Sequence, residues 1–312
     1  MTFARKDERG QAIVLMVLAL VVLLGMAAMV LDVGGWFREQ RRLQGTADAA
    51  ALAGAQQLPT APSAAQAMAL SYANQNGGDV LAADITVGTL NQPNDIIDVK
   101  AQKSSPGFFS SVLGIMNANI TASARALVGP PAQAQYVAPM VVYCDHPLIQ
   151  NCNGNNTPTF GQPTSMNYDP LGAPGAFGML NLGKSQGNGT PGSSAEAAWI
   201  LNGFSQYLGL GMYPSDPGAK FSSLNIQSAL TARMGTELLF PVFKTLTGGG
   251  QNAQYDIIAW IGFHLTDYSV QGNNATLNGY FTQYIAHGIL ATGGNGGAPS
   301  STWGVKSIQL IK

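Results

Sequence analysis

Two short patterns in the middle of the chain match motifs that carry chemistry in other proteins. Residues 178–185 read GMLNLGKS and fit G-x4-G-K-S, a loop that binds phosphate with the amides at the start of a helix. Residues 183–187 fit G-x-S-x-G, a turn that presents a nucleophilic serine directly before a helix. The next residues, QGNGTPG, cannot begin a helix, because they are glycines, a proline and polar turn formers. We therefore interpret both patterns as chance matches and predict no nucleotide site and no catalytic serine.

The three histidines, His146, His264 and His287, have no paired spacing of the kind that binds metal. We expect each of them to be a structural or surface residue. A Ser/His/Asp triad is assembled in space and not along the sequence, so that alternative stays open. The Asn- and Gly-rich segments 151–155 and 271–274 have too few carboxylates for calcium and are typical of turns. We predict no catalytic, cofactor-binding or metal-binding residue.

The only two cysteines, Cys144 and Cys152, lie close together in the segment CDHPLIQNC. In an oxidising compartment this spacing favours a local disulfide that closes a small loop. The alternative is a pair of free thiols. A metal site would need more ligands than the chain places near them.

An uncharged apolar run covers residues 12–31 and has basic residues on both sides. At 1.5 Å per residue, a helix of this length spans the hydrocarbon core of a bilayer. The run is longer than the apolar part of a cleaved signal peptide, so we predict a retained single-pass anchor. Because only a short tail precedes it, we expect the C-terminal bulk to lie outside the cytoplasm. Asp32 ends the run, and it is either solvated at the interface or paired with a basic group of a neighbouring subunit.

The composition of the 312 residues narrows the classes of partner. The formal net charge is −1, and only 10% of the residues are charged. There is no basic patch beyond the flanks of the apolar run, which argues against nucleic acid as a partner. Such weakly charged, Gly- and Asn-rich composition suits an extracytoplasmic protein or a fibre subunit.

The segment after the apolar run predicts a stalk helix and a small α+β unit. Small apolar residues recur at helical spacing and form a stripe that packs either within the chain or against copies or partners; its members are Leu43, Ala47, Ala50, Gly54 and Leu58. A second helix should begin with a capping box at residues 63–66 and end at Gly77. Alternating segments predict strands at 85–89, 96–101 and 120–126, with a short helix at 106–115 before the last of them.

Two consecutive prolines, Pro130 and Pro131, mark a domain boundary, after which the sequence pattern changes to short strands and loops. Beyond them we predict six strands, at 137–143, 177–182, 238–243, 256–265, 275–281 and 305–311, and two helices, at 195–208 and 224–234. The first of these helices should open with a capping box at 193–196. The predicted fold class is α+β. The predicted domains are a tail and anchor (1–31), a stalk and pilin-like α+β domain (32–129), and a mostly β extracytoplasmic domain with helical insertions (130–312).

Three N-terminal pieces carry a family resemblance. Arg9-Gly10-Gln11, Leu31-Asp32-Val33-Gly34 and residues 42–55, RLQGTADAAALAGA, which include Asp48, resemble the N-terminal module of TadE/TadG-like proteins over about residues 5–58. Those proteins belong to the tight-adherence (Flp-type) pilus systems of bacteria. The chain departs from prepilins in having Leu15 where they carry a glutamate, and it lacks the Asp-x-Ser-x-Ser motif of von Willebrand A-type domains.

The resemblance implies a non-enzymatic envelope protein of a pilus system, either a minor pilin-like subunit or an assembly factor. Its expected partners are the membrane, other pilin-like subunits and the pilus secretion machinery, and its expected place is the cytoplasmic membrane or the surface pilus. The candidate interface residues are Asp32, Leu43, Ala47, Asp48, Ala50 and Gly54. The alternatives are a membrane-tethered extracytoplasmic hydrolase, with its site in residues 131–312, and a stand-alone surface adhesin.

Overall fold

The computed structural model describes residues 9–114, 116–184, 189–218, 220–290 and 301–311. The last residues of the two motif patterns and the end of the helix predicted at 106–115 lie outside the described residues. The described chain forms two compact units. The first runs to Leu127 and includes Leu310 and Ile311, and the second is Val128–Gln309. Mixed helices and strands in both units confirm the α+β class.

The first unit consists of one long helix, one shorter helix and a small antiparallel sheet. Helix α1 is Arg9–Ala55 and helix α2 is Pro62–Gln75. The strands are β1 (Ile85–Gly88), β2 (Ile96–Pro106) and β3 (Asn117–Gly129), with β2 in the centre. This agrees with the predicted order of long helix, helix and strands, because the apolar residues recur at the periods of a helix and then of strands.

The core of the first unit lies between the two helices and one face of the sheet. Ile97, Val99 and Ala101 alternate on the buried face of β2, as the sequence predicts. Gly54 of α1 is a close-contact point, because a Cβ atom placed there would lie 2.6 Å from Ile97 Cδ1 and 2.8 Å from the Ala65 carbonyl oxygen. Only glycine lets the helix approach α2 and β2 this closely.

Two local predictions in the first unit are wrong. The capping box at 63–66 does not form, because α2 already begins at Pro62, ahead of the predicted cap Ser63. The missing N–H of proline costs nothing in the first turn. The Gln66 side chain instead donates to the Ile85 carbonyl oxygen, at 3.2 Å. The predicted helix at 106–115 is replaced by the end of β2 and one 3-10 turn, Ser110–Leu113, which Gly114 ends in the left-handed conformation.

The second unit is built on a mixed seven-stranded sheet. Its order is β10-β5-β7-β6-β12-β11-β9, and β10 also pairs with β11, so that six strands form a closed ring. A small sheet, β14-β4-β8, and the pair β13–β15 complete the strands. The elements are β4 (Pro131–Ala134), β5 (Met140–Tyr143), β6 (Pro163–Tyr168), β7 (Ala176–Met179), α3 (Ser193–Asn202), β8 (Leu208–Gly209), β9 (Gly211–Pro214), α4 (Leu224–Arg233), β10 (Thr236–Thr247), β11 (Gln254–Gln271), β12 (Asn274–Thr282), β13 (Tyr284–Ile285), β14 (Gly288–Leu290) and β15 (Val305–Ile311).

Both faces of the large sheet are buried. Met140 and Val142 of β5 belong to one apolar cluster together with residues of α3 and α4, and Val141 between them belongs to a second cluster with Trp260. All six predicted strands of this unit are present. The first predicted helix is shorter than expected and ends at Asn202, because Gly203 has a positive φ of 72° and an added Cβ would lie 2.3 Å from the Tyr136 carbonyl oxygen.

We expect Gly54→Ala to lower the free energy of unfolding of the first unit. Alanine gains about 1 kcal/mol of helix propensity, but overpacking against Ile97 and Ala65 costs about 1–3 kcal/mol and outweighs it. The matched control is Gly45→Ala, in the same helix with no atom within 4 Å of the added Cβ. It should raise stability by up to about 1 kcal/mol. Thermal unfolding of the detergent-solubilised chain, followed by circular dichroism, measures both, and equal shifts in the two variants would contradict the packing argument.

Candidate functional site

Helix α1 changes its surroundings at Asp32. The apolar side chains of residues 12–31 are exposed on nearly all sides, although they are the most hydrophobic part of the chain. After Asp32 the helix becomes amphipathic, and Leu43, Ala47 and Ala50 are fully buried. An apolar helix that is exposed all round is stable only in an apolar medium, since water does not solvate it favourably. It is the one described helix long and apolar enough to cross a membrane.

The carboxylate of Asp32 is buried and binds the backbone of a distant loop. Its Oδ1 accepts a hydrogen bond from the Phe108 amide at 3.2 Å, and its Oδ2 accepts from the amides of Phe109 (2.9 Å) and Ser110 (2.6 Å). Hydrogen bonds from backbone N–H groups to an ionised carboxylate are stronger than those between neutral groups. Asp32 therefore fastens the end of the apolar segment to the loop between β2 and β3. Neither sequence interpretation of Asp32 included this partner.

A second group of charges joins the same elements farther along the helix. Glu39 accepts hydrogen bonds from Arg42 at 2.6 Å and forms an ion pair with Lys103 of β2 at 3.2 Å. Arg42 also pairs with Asp79 and donates to the Gly77 carbonyl oxygen at 3.1 Å. The Arg42 guanidinium, with help from Lys103, holds the pKa of Glu39 below its ordinary value. Partly exposed pairs of this kind add little stability but fix the register of helix and hairpin.

The small-residue stripe packs inside the first unit. Leu43, Ala47 and Ala50 are fully buried, and Gly54 lies against Ala65, Ala69 and Ile97. Asp48 is half-buried and accepts a hydrogen bond from Gln44 Nε2 at 2.8 Å. Of the two interpretations of the stripe, this contact corresponds to packing within the chain. The surface that α1 leaves open is therefore the apolar segment before Asp32.

The comparisons with known proteins concern this same helix. A family model described as Flp pilus-assembly TadE/G-like matches residues 10–57. Over these residues the chain is similar to the TadE/G-like family. No curated protein and no solved structure matches the chain.

The matched residues cover nearly the whole of α1. They contain the exposed apolar segment, Asp32 and the stripe as far as Gly54, and they end just after Ala55. This match confirms the resemblance seen in the sequence and supports a role associated with Flp-type pili. The module and its exposed apolar helix together fit a membrane-anchored pilus protein.

Outside the matched residues, the three histidines lie at separate places in the second unit, and His146 lies in the loop between the two cysteines. Cys144 and Cys152 are joined by a disulfide, with their Cα atoms 4.8 Å apart. His146 is buried, and burial lowers its pKa to about 4. His264 Nδ1 lies 3.0 Å from Glu237 Oε1, and His287 lies beside the Tyr207 hydroxyl at 3.5 Å. Among the described residues these contacts do not bring a serine and an aspartate together on one histidine.

A buried charge cluster in the second unit escaped the sequence analysis. Lys220 Nζ lies 2.5 Å from Glu196 Oε1 and 3.6 Å from Asp216 Oδ2, and both carboxylates are almost wholly buried. Asp216 and Lys220 line a cavity of about 420 Å³ together with Asn181, Lys184 and Ser215. Burial raises the pKa of Glu196 to about 7; Lys220 opposes this shift, and the Asp216 charge adds to it.

No sequence signal predicts the cluster, because Glu196 lies in α3 whereas Asp216 and Lys220 lie in the segment that precedes α4. The sequence suggests a capping box for Glu196, but α3 begins after Gly192 without a side-chain cap, and Glu196 points instead to Lys220. The rejected phosphate-loop pattern lies beside the cavity. Its described part is strand β7 and a turn in which the Lys184 amide donates to Asn181 Oδ1 at 2.7 Å, and the next described helix begins only at Ser193.

We expect Asp32→Ala to free the loop that Asp32 holds. The amides of Phe108, Phe109 and Ser110 lose their acceptor, so their hydrogen exchange should accelerate about tenfold or more. Exchange in a peptide over residues 104–117, measured by mass spectrometry in detergent, reports this change. The matched control is Asp48→Ala, whose carboxylate contacts only a side chain among the described residues. Unchanged exchange in the Asp32 variant would show that the loop does not depend on the carboxylate.

Glu196 should make the second unit less stable as the pH rises. Its ordinary pKa is 4.5 and its pKa in the fold is about 7, so between these values the folded protein keeps a proton that the unfolded chain loses. The free energy of unfolding therefore falls across this window, and Glu196→Gln should remove that fall. His146 acts in the opposite direction, because its pKa is lowered.

The measurement is the midpoint of thermal unfolding of wild type and variant between pH 5 and pH 8, followed by tryptophan fluorescence. The difference between the two proteins isolates Glu196 from the histidines. The control is Glu237→Gln, because His264 lowers the pKa of that carboxyl and its loss cannot remove the fall. Parallel pH profiles for wild type and Glu196→Gln would contradict the assignment.

Proposed function

We propose that the chain is a non-enzymatic, membrane-anchored subunit of a Flp-type pilus system, of the minor pilin-like kind. The observation that carries the proposal is the division of α1 at Asp32. One half packs on its own sheet, and the other half offers an apolar surface on every side. Such a surface can pass from lipid to the apolar helices of neighbouring subunits without losing favourable contacts.

The proposed orientation places the bulk of the chain outside the cytoplasm. The disulfide between Cys144 and Cys152 supports this side, because such bonds persist in oxidising compartments. The proposed domains are residues 1–31 as tail and anchor, 32–129 as stalk and pilin-like unit, and 130–312 as an outer domain. The low charge of the whole chain suits a subunit that packs among others. The proposed partners are other pilin-like subunits and the secretion machinery.

The tethered-hydrolase alternative has one observation in its favour. A buried carboxyl group with a pKa near neutrality, beside a cavity, is of the type that serves as a general acid or base. Glu196 itself, however, is fully buried and bound to Lys220, so it has no surface to offer a substrate. We interpret the cluster as a structural contact between α3 and the segment that precedes α4.

Fractionation of the native host tests the proposal. The protein carries a tag after Lys312, and sheared surface filaments and washed membranes are probed separately, with a cytoplasmic protein as the control for lysis. We expect the tag in the filaments. A signal only in membranes, with loss of pili on deletion of the gene, would identify an assembly factor. A membrane signal with unchanged piliation on deletion would contradict the pilus proposal and favour the adhesin or enzyme.

Two matched variants test the anchor itself. Leu18 in the apolar segment and Leu90 in the turn before β2 are almost equally exposed, at 58% and 55%. An arginine in the centre of a spanning helix costs about 2.5–3.5 kcal/mol. Leu18→Arg should therefore deplete the protein from membranes and filaments, whereas Leu90→Arg should leave both signals unchanged. Equal behaviour of the two variants would show that the segment is not an anchor.

A further inference from the structure

The hairpin of β2 and β3 runs along α1 toward the apolar segment. Three pairs of contacts follow one another down the helix: Ile97 packs on Gly54, Lys103 binds Glu39, and the loop amides bind Asp32. As the hairpin residue number rises, the helix residue number falls. The loop that joins the two strands therefore lies level with the end of the apolar segment. We call its described residues, 107–114 and 116, the hairpin tip.

The hairpin tip presents apolar side chains to its surroundings. Phe108 is 78% exposed, Phe109 49% and Met116 71%. No charged residue occurs between Lys103 and Arg125, so the tip and the strand ends beside it are uncharged. Two adjacent exposed phenylalanines on a loop are costly in water, and they are typical of a surface that contacts something apolar.

The tip and the helix together form an apolar groove. A cavity of about 630 Å³ lies between Phe109 of the tip and one face of α1, and its lining includes Val21, Leu24, Gly25 and Ala28. Gly25 and Ala28 are small and leave room beside the helix. The groove opens along the segment that itself fits a bilayer. An acyl chain has the shape and polarity to lie in it.

Several backbone polar groups of the tip already have hydrogen-bond partners within the protein, as a medium that forms few hydrogen bonds requires. Asp32 accepts from three successive amides, and the Gly107 amide donates to the Met116 carbonyl oxygen at 3.0 Å. Irregular backbone at membrane depth is tolerated only where its polar groups have partners in the protein. This gives the buried carboxylate a role beyond fastening the loop, because it satisfies the N–H groups that lipid could not.

We propose that the hairpin tip is a second membrane contact of the protein, in which Phe108, Phe109 and Met116 enter the outer part of the bilayer beside α1. The proposal rests on the membrane anchoring included in the proposed function. The occupant of the groove is lipid, because the groove continues the surface of the apolar segment and its described lining is apolar apart from Ser110. The contact fixes the folded unit against the membrane at two places, the helix and the tip.

Spin labels on the full chain in lipid vesicles test the contact. Single cysteines at Phe108, Met116, Leu18 and Leu90 carry a nitroxide; Cys144 and Cys152 are bridged, and wild type treated with the label gives the background. Collisions with oxygen report hydrocarbon, and collisions with a nickel chelate report water. We expect Phe108→Cys and Met116→Cys to favour oxygen over nickel several-fold more than Leu90→Cys. Leu18→Cys should favour oxygen most strongly.

Each other outcome is decisive. If the label at Phe108 behaves as at Leu90 while that at Leu18 lies in hydrocarbon, the anchor stands and the second contact is overturned. If both Leu18 and Phe108 report water, the anchoring itself fails. If the label at Phe108 collides with neither reagent, protein covers the tip, and the surface is a subunit interface instead of a lipid contact.

Discussion

The hydrogen bonds of Asp32 connect the apolar half of α1 with the folded half of the first unit. The helix alone would leave a carboxylate at the end of a long apolar run, and the loop alone would leave three successive amides without acceptors. Each group removes the other's desolvation cost. The contact lies where the TadE/G-like module changes from exposed to buried, so the position of the sheet relative to that change depends on it.

Much of the first unit could be predicted from the sequence because its elements have strong local signals. Local hydrophobic periodicity is enough to predict the apolar run, the small-residue stripe and the alternating strands. The failures occur where a distant residue takes part. Residues 106–115 suggest a short helix, but Asp32 binds three of their amides and the 3-10 turn that begins at Ser110 ends at Gly114, which has a positive φ. Ser63 resembles a helix cap, but Pro62 already begins the helix.

The second unit shows the same limit more strongly. Its long apolar strands were predictable, but β6 was not, because Pro163–Tyr168 mixes polar residues with a proline. The cluster of Glu196, Asp216 and Lys220 joins α3 to the segment before α4, and no sequence spacing predicts this contact. Such a buried group is a weak source of stability, since the cost of desolvating the charges offsets much of their attraction. Its members are therefore better understood as specifying one arrangement of α3 and the chain before α4.

The closed ring of six strands has a consequence for the order in which the chain folds during synthesis. In the first unit β1, β2 and β3 follow one another closely, so their pairings can form once residue 129 has emerged. In the second unit β5 needs β10, and β6 needs β12, whose last residue is Thr282. Pairings between such distant segments form slowly. A chain that grows from its N-terminus can thus form the hairpin of the first unit well before the last strand of the ring exists.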